Sequence, residues 1–132
     1  MTNREGARSG PTILLVDDNR TNRLVVRAYL VGQGYEFIDT SDGADALTKI
    51  RETVPDLVIS DIFMPALDGW ELVKALRSDR RPEVRKIPII LASAKHDADV
   101  ERRSKEAGAD AFIKKPIVWQ DLAKLVRELL GR

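Results

Sequence analysis

The sequence predicts an α/β domain in which five parallel strands form one doubly wound sheet, and two observations support this. Short runs of apolar, β-branched residues alternate along the chain with longer segments of helical period. The runs are apolar without a break, which is typical of strands that helices cover on both faces of a parallel sheet. Alternation of this kind indicates successive strand–helix–strand units with right-handed crossovers.

Five apolar runs predict the strands, and five amphipathic stripes predict the helices. The predicted strands are Ile13–Val16, Glu36–Ile38, Leu57–Ile59, Ile89–Leu91 and Ala111–Ile113. The predicted apolar faces of the helices comprise Leu24, Ala28 and Val31, then Ala44, Leu47, Ile50 and Val54, then Trp70, Leu72, Val73 and Leu76, then Ala98, Val100 and Ala107, and finally Val118, Leu122, Leu125, Val126 and Leu129. Five such units fit the flavodoxin-like class, whose strand order is 2-1-3-4-5.

The composition limits the possible functions. A chain of 132 residues with 43% hydrophobic residues can bury one core, so we expect one domain over 11–131 after a disordered tail at 1–10. The net charge is only +1, from 22 basic and 21 acidic residues, and lacks the field of a nucleic-acid binder. The absence of cysteine excludes thiolate zinc sites and cysteine nucleophiles. No apolar run approaches the roughly 20 residues that span a bilayer, and we expect a cytoplasmic protein without membrane contact.

One local stretch, 77–86, is rich in arginine and could be taken for a nucleic-acid patch. Asp79 and Glu83 interrupt its positive charge. We therefore interpret it as a solvated loop and expect no direct contact with nucleic acid.

Polar side chains follow four of the predicted strands, where the chemistry of doubly wound sheets is found. Asp17 and Asp18 follow the first strand, Asp61 the third, Ser93 the fourth and Lys115 the fifth. Carboxylates brought together in this way repel one another, and a hard divalent cation such as Mg²⁺ relieves the repulsion. The sequence therefore predicts an acidic metal site beside a hydroxyl and a cation.

This set of groups favours phosphoryl transfer to a carboxylate. Mg²⁺ takes few carboxylates and keeps several waters, so room remains for a phosphoryl oxygen. Asp61 would act as the nucleophile. Mg²⁺ would bind one equatorial phosphoryl oxygen, Lys115 would neutralise charge on a second, and the hydroxyl of Ser93 would donate to the third. The predicted phosphoacceptor is therefore Asp61.

Four motifs, in order, resemble the signature of CheY-like receiver domains of two-component response regulators. They are Leu15–Asn19, Asp61–Pro65 with Asp68-Gly69, Leu91–Ala94, and Lys115-Pro116. The resemblance covers 12–130. It implies that a histidine kinase or a histidine-phosphotransfer protein donates a phosphoryl group to Asp61 in a Mg²⁺-dependent reaction. The domain would then act as a switch in a phosphorelay and not as an enzyme, because the group it modifies is its own.

The resemblance also implies a metal shell. Asp18 matches the direct Mg²⁺ ligand, and Asp17 matches its partner, which often acts through water. Phe63 lies two residues after Asp61, where a backbone carbonyl of the family completes the shell.

The remaining motif positions imply a switch. Ser93 matches the hydroxyl that moves toward the phosphoryl group, although threonine is commoner there. Phe112 stands where the family has its aromatic switch, but it lacks the hydroxyl of the frequent tyrosine. Lys115 matches the family's lysine, whose bond to the following proline, here Pro116, is usually cis.

Phe63 and Lys95 occupy positions that tune dephosphorylation in this family. A bulky Phe63 could shield the acyl phosphate from water. Our hypothesis is therefore that the phosphorylated state is fairly long-lived.

Two other functions remain open at this point. A degenerate receiver would act only as a binding module, but it would lack one of the acidic pair, the acceptor or the lysine. A phosphatase of the haloacid-dehalogenase type needs a second aspartate two residues after the nucleophile, where this chain has Phe63.

The resemblance implies partners as well. The donor would dock on the first helix, near Arg20, Asn22 and Arg23, and on the loop after the fifth strand. The output partner is unidentified, and a phosphorylation-dependent homodimer is open. We expect either a single-domain regulator or a receiver cut from a larger protein such as a hybrid histidine kinase.

Overall fold

The structure, a computed structural model, describes residues 10–131. The strands are β1 (Thr12–Val16), β2 (Glu36–Thr40), β3 (Leu57–Asp61), β4 (Ile89–Ser93) and β5 (Ala111–Lys114). The helices are α1 (Arg20–Tyr29), α2 (Gly43–Thr53), α3 (Gly69–Arg77), α4 (Pro82–Arg85), α5 (Ala98–Ala107) and α6 (Trp119–Leu130). The tail predicted at 1–10 lies, apart from Gly10, outside the described residues. No helix among residues 10–131 is long and apolar enough to cross a membrane.

The five strands form one parallel sheet in the order β2-β1-β3-β4-β5. The predicted class and strand order are therefore confirmed. The register aligns Val16 of β1 with Thr40 of β2 and with Ser60 of β3. Asp61 is in turn aligned with Ala92 of β4. The strands therefore end at one common edge, and the residues that follow them are brought together.

Two apolar layers cover the sheet. Alternate residues of β1 point to opposite faces, so Leu14 and Val16 pack with α2, α3 and α5 while Ile13 and Leu15 pack with α1 and α6. All four side chains are at most 2% exposed. The unbroken apolar run of this strand therefore follows from burial on both of its faces.

The predicted apolar face of α1 was wrong. Leu24 and Val31 are 49% and 71% exposed, and Ala28 is exposed too. Val26 and Leu30 are buried instead, in the layer that α6 shares. The helix carries apolar residues on two sides, so their spacing alone did not decide which side faces the sheet.

The stretch 77–86 is not simply a solvated loop. It contains the single turn α4, whose Val84 is fully buried. The guanidinium of Arg77 donates four hydrogen bonds that tie the ends of several elements together. The acceptors are the carbonyl oxygens of Gly108 (3.0 Å), Arg85 (2.8 Å) and Ile87 (2.7 Å) and the carboxylate of Asp110 (2.7 Å).

The start of α3 packs directly against the backbone that follows β3. Asp68 caps the helix in a capping box with Glu71. The N–H of Gly69 donates to the carbonyl oxygen of Ile62 at 2.7 Å. A Cβ on Gly69 would lie 2.6 Å from the carbonyl oxygen of Asp61 and 2.8 Å from the Cα of Ile62. Only glycine therefore permits this approach, which fixes the backbone beside Asp61.

We expect Gly69→Ala to lower the free energy of unfolding by about 1–3 kcal/mol, because the added methyl group overlaps packed backbone. Urea unfolding measures the loss, and amide NMR measures the shifts of Asp61 and Ile62. The matched control is Gly32→Ala, which meets no atom within 4 Å but has a positive φ of +84°. It should lose stability through backbone strain and leave both amides in place. Unmoved Asp61 and Ile62 amides in Gly69→Ala would contradict this account.

Candidate functional site

Three carboxylates meet at the carboxyl edge of the sheet. Asp17 and Asp18 follow β1, and Asp61 is the last residue of β3. Each offers one oxygen, and these oxygens lie within 4.8 Å of one another. Asp17 is buried, Asp61 is partly buried and Asp18 is exposed, so the group opens to solvent on one side. An all-oxygen donor set with an open side fits Mg²⁺, which binds few carboxylates and retains waters.

Lys115 supplies the positive charge that faces these carboxylates. Its ammonium lies 3.1 Å from Oδ2 of Asp17 and 3.4 Å from Oδ1 of Asp61. The backbone N–H of Lys115 donates to the carbonyl oxygen of Ser93 at 3.0 Å, which attaches the loop after β5 to β4. The Lys115–Pro116 bond is cis, as the resemblance implied.

Backbone hydrogen bonds hold two of the carboxylates in place. The N–H of Asn19 donates to Oδ1 of Asp17 at 2.9 Å. The N–H of Ile62 donates to Oδ1 of Asp61 at 3.0 Å, and the hydroxyl of Ser60 donates to the carbonyl oxygen of Asp61 at 2.8 Å. The orientation of both side chains is therefore set by the ends of their own strands.

Burial raises the pKa of Asp61 above its ordinary value. The nearby charge of Lys115 lowers this pKa, while the charge of Asp17 raises it further, and the net direction is upward. The ionised form of Asp61 is thus less stable here than in water. A cation bound among the three carboxylates would favour that ionised form.

The remaining predicted residues lie at the end of β4, in the loop after β3 and on β5. Ser93 is buried at the end of β4, and its hydroxyl oxygen accepts the N–H of Lys95 at 3.0 Å. The ring of Phe63 is 44% exposed and meets the ring of Trp70 edge-on, with 5.3 Å between centroids. The ammonium of Lys95 lies 5.9 Å from the centroid of Phe63. Phe112 is partly buried against the core. The switch roles of Ser93 and Phe112 and the metal role of the Phe63 carbonyl stay predictions.

Sequence reasoning missed the position of Arg23. We expected this residue beside a docking surface, but its guanidinium donates to the carbonyl oxygen of Asp17 at 2.6 Å. A signal was present, because Arg23 shares its helix face with Val26 and Leu30, at spacings of three and seven residues. The wrong choice of the buried face of α1 concealed it.

Comparison with known proteins shows which family the chain belongs to. The family model of the response regulator receiver domain matches residues 13–127. The chain is 35% identical over 120 residues to the polar-differentiation response regulator DivK of Brucella ovis, covering 91% of this chain and 96% of that protein.

Solved structures give the same result. A putative response regulator from Chloroflexus aurantiacus has a TM-score of 0.85 and 34% identity, covering 92% of this chain and 98% of that one. The signal receiver domain of a histidine kinase from Syntrophus aciditrophicus has a TM-score of 0.83 and 37% identity, covering 92% and 91%. The chain therefore belongs to the response regulator receiver domain family. It is a CheY-like receiver domain of the two-component signalling systems.

The raised pKa of Asp61 has a consequence for stability. A folded pKa above the unfolded value means that the native state holds the proton more tightly. The stability that this proton adds to the native state is complete below the unfolded pKa of Asp61 and is lost as the pH rises through its folded pKa. We therefore expect Asp61→Asn, measured by urea unfolding without divalent cations, to gain stability over the wild type as the pH rises from acidic to neutral.

The matched control for this experiment is Asp42→Asn. Asp42 is an exposed N-cap of α2, where asparagine caps equally well, so this variant removes one negative charge without removing any of the three clustered carboxylates. A loss of stability in Asp61→Asn that grows toward neutral pH would contradict the burial argument.

Proposed function

We propose that this domain accepts a phosphoryl group on Asp61 in a Mg²⁺-dependent reaction and serves as a phosphorylation-driven switch. The observation that carries the proposal is the group of three carboxylates within 4.8 Å, with the ammonium of Lys115 only 3.4 Å from Asp61. The donor would be the phosphohistidine of a histidine kinase or of a histidine-phosphotransfer protein. We expect the reaction to take place in the cytoplasm.

Asp17, Asp18 and Asp61 would hold the cation, together with the backbone carbonyl of Phe63. The chemistry that Mg²⁺ supplies there is the neutralisation of carboxylate and phosphoryl charge. Asp17 is fixed on one oxygen by the N–H of Asn19 and on the other by Lys115. Its carboxylate is therefore oriented by the protein, whereas the exposed Asp18 can adjust to the ion.

In the transfer step, a carboxylate oxygen of Asp61 forms the new O–P bond while the N–P bond of the donor breaks. The imidazole leaves as a neutral group when its other ring nitrogen carries a proton. Lys115 would neutralise charge on an equatorial phosphoryl oxygen, and the hydroxyl of Ser93 would donate to another. The domain acts on its own side chain, so we propose a signalling switch and not an enzyme with an external substrate.

The proposed switch links Ser93 to the face formed by α5, β5 and α6. Phosphoryl contacts favour one of two states and shift the population toward it. Phe112 lies on β5, paired in register with Leu91 of β4, two residues before Ser93. Only three residues of α5 are buried, namely Val100, Ser104 and Ala107, so little apolar area anchors this helix.

The exposed side of α1 supports donor docking. Leu24 and Val25 are exposed there, and Val31 is exposed just after the helix, although all three are apolar. A groove of about 190 Å³ lies between α1 and the loop after β5, with Tyr29 and Pro116 among its lining residues. We propose this surface for the phosphohistidine partner. The existence of an output partner stays a prediction, and so does a homodimer that forms on phosphorylation.

The central test is intact mass after incubation with acetyl phosphate, with and without Mg²⁺. We expect one phosphoryl group to be added only when Mg²⁺ is present, because the unneutralised carboxylates repel the donor. Asp61→Asn should gain none, while the control Asp42→Asn should behave like the wild type. A folded wild-type protein that gains no phosphoryl group with Mg²⁺ would instead support a degenerate binding module.

The lifetime of the phosphorylated state tests the role of Phe63. Phe63 follows the acceptor by two residues, and its ring meets Trp70 edge-on and lies 5.9 Å from the ammonium of Lys95. We propose that this ring limits the approach of water to the phosphorylated Asp61. We expect Phe63→Ala to release phosphate severalfold faster than the wild type after removal of the donor. Phe63→Leu is the control, because it retains apolar bulk and should change the rate less. An unchanged rate in Phe63→Ala would exclude shielding by this ring.

A further inference from the structure

Arg23 is turned into the protein from an otherwise exposed start of α1. Its side chain is only 14% exposed, whereas Arg20 is exposed. Removing a guanidinium from water is unfavourable unless its charge and its donors find partners. The groups that Arg23 contacts therefore indicate why this side chain is buried.

The directional contact of this guanidinium is with the acidic site. One terminal nitrogen of Arg23 donates to the carbonyl oxygen of Asp17 at 2.6 Å. Its Nε lies 3.6 Å from Oδ2 of Asp39 on β2, which is close enough for an ion pair but too long for a hydrogen bond. Among the described residues, Nε of Arg23 is buried without any hydrogen-bond partner. The geometry thus favours the carbonyl of Asp17 over the partner carboxylate.

That carbonyl belongs to the peptide unit that joins Asp17 to Asp18. Because the unit is planar, fixing its oxygen also fixes the backbone from which both carboxylates project. The other groups of Asp17 are held as well, since its N–H donates to the carbonyl of Thr40 at 3.2 Å and its carboxylate accepts from Asn19 and Lys115. Arg23, from α1, adds the hydrogen bond to the carbonyl of Asp17, so that the N–H, the carbonyl and the carboxylate of this residue are all held.

We propose that Arg23 is a positioning residue for the acidic site: it holds the Asp17–Asp18 peptide so that both carboxylates are preset for a divalent cation. Groups that orient metal ligands typically change metal affinity by roughly 10–100-fold when they are removed. Arg23 also lines the small cavity under the site with Asp17, Asp61 and Lys115. The identity of the cation rests on the function proposed above.

Arg27 provides a matched control within the same helix. It shares the partner of Arg23, because its terminal nitrogen donates to Oδ1 of Asp39 at 2.6 Å. The hydrogen bonds found for Arg27 do not involve Asp17. Arg23→Met and Arg27→Met therefore both weaken the contact of α1 with β2, but only the first releases the peptide.

The experiment measures Mg²⁺ binding by calorimetry and, without metal, the hydrogen exchange of the Asn19 amide by NMR. We expect Arg23→Met to raise the Kd for Mg²⁺ roughly tenfold or more and to speed exchange at Asn19. Arg23→Lys keeps the charge but lacks the reach and planar fork of arginine, so it should also bind Mg²⁺ more weakly. Arg27→Met should leave the Kd for Mg²⁺ and the exchange rate at Asn19 near those of the wild type, even if its melting temperature falls as far as that of Arg23→Met.

Three results would overturn the inference. Unchanged or tighter Mg²⁺ binding in Arg23→Met would show that the residue is structural or only repels the cation. Full recovery in Arg23→Lys would show that the reach and planar fork of arginine do not position the peptide, and equal losses in Arg27→Met would assign the effect to the anchoring of α1. If the wild type itself bound no Mg²⁺, the proposed function would fail, and exchange at Asn19 would then decide the role of Arg23.

Discussion

Three carboxylates repel one another beside a single ammonium, and holding them together is the constraint on which the rest of this structure depends. Asp17, Asp18 and Asp61 bring oxygens within 4.8 Å of one another, and Lys115 faces two of them. Left in water, such groups would separate. Here the strand ends hold them together, and burial, with a smaller contribution from the charge of Asp17, raises the pKa of Asp61. A fold that keeps three carboxylates close at one edge offers an all-oxygen donor set that fits a divalent cation.

The rigidity that opposes this repulsion comes from the sheet and from the elements packed against it. Parallel register ends β1, β3 and β4 at one edge, and burial on both faces prevents the strands from shifting. Gly69 lets α3 approach the backbone after Asp61, and Arg23 holds the backbone after Asp17. The acidic residues are therefore held close together even though the ionised Asp61 lowers the stability of the domain.

The sequence predicted the parts of this arrangement that depend on regular burial. The runs at Ile13–Val16 and Ile89–Leu91 are apolar throughout, which indicated strands buried on both faces of a parallel sheet. The polar residues after them were therefore expected at the carboxyl edge of that sheet. Spacing failed where a segment offers two apolar faces or is too short to show a period. The first case was α1, with Leu24 exposed and Val26 buried, and the second was α4. The partner of Arg23 could not be predicted either. It is a backbone carbonyl, and the sequence does not distinguish the carbonyl of one residue from that of another.

The central claim is that Asp61, and not one of its acidic neighbours, receives the phosphoryl group. Borohydride reduces an acyl phosphate of aspartate to homoserine, and peptide mass spectrometry then locates the modified residue. After treatment with acetyl phosphate and Mg²⁺, the account predicts homoserine at position 61 alone. Homoserine at position 17 or 18, or an intact aspartate at all three positions in a phosphorylated protein, would contradict it.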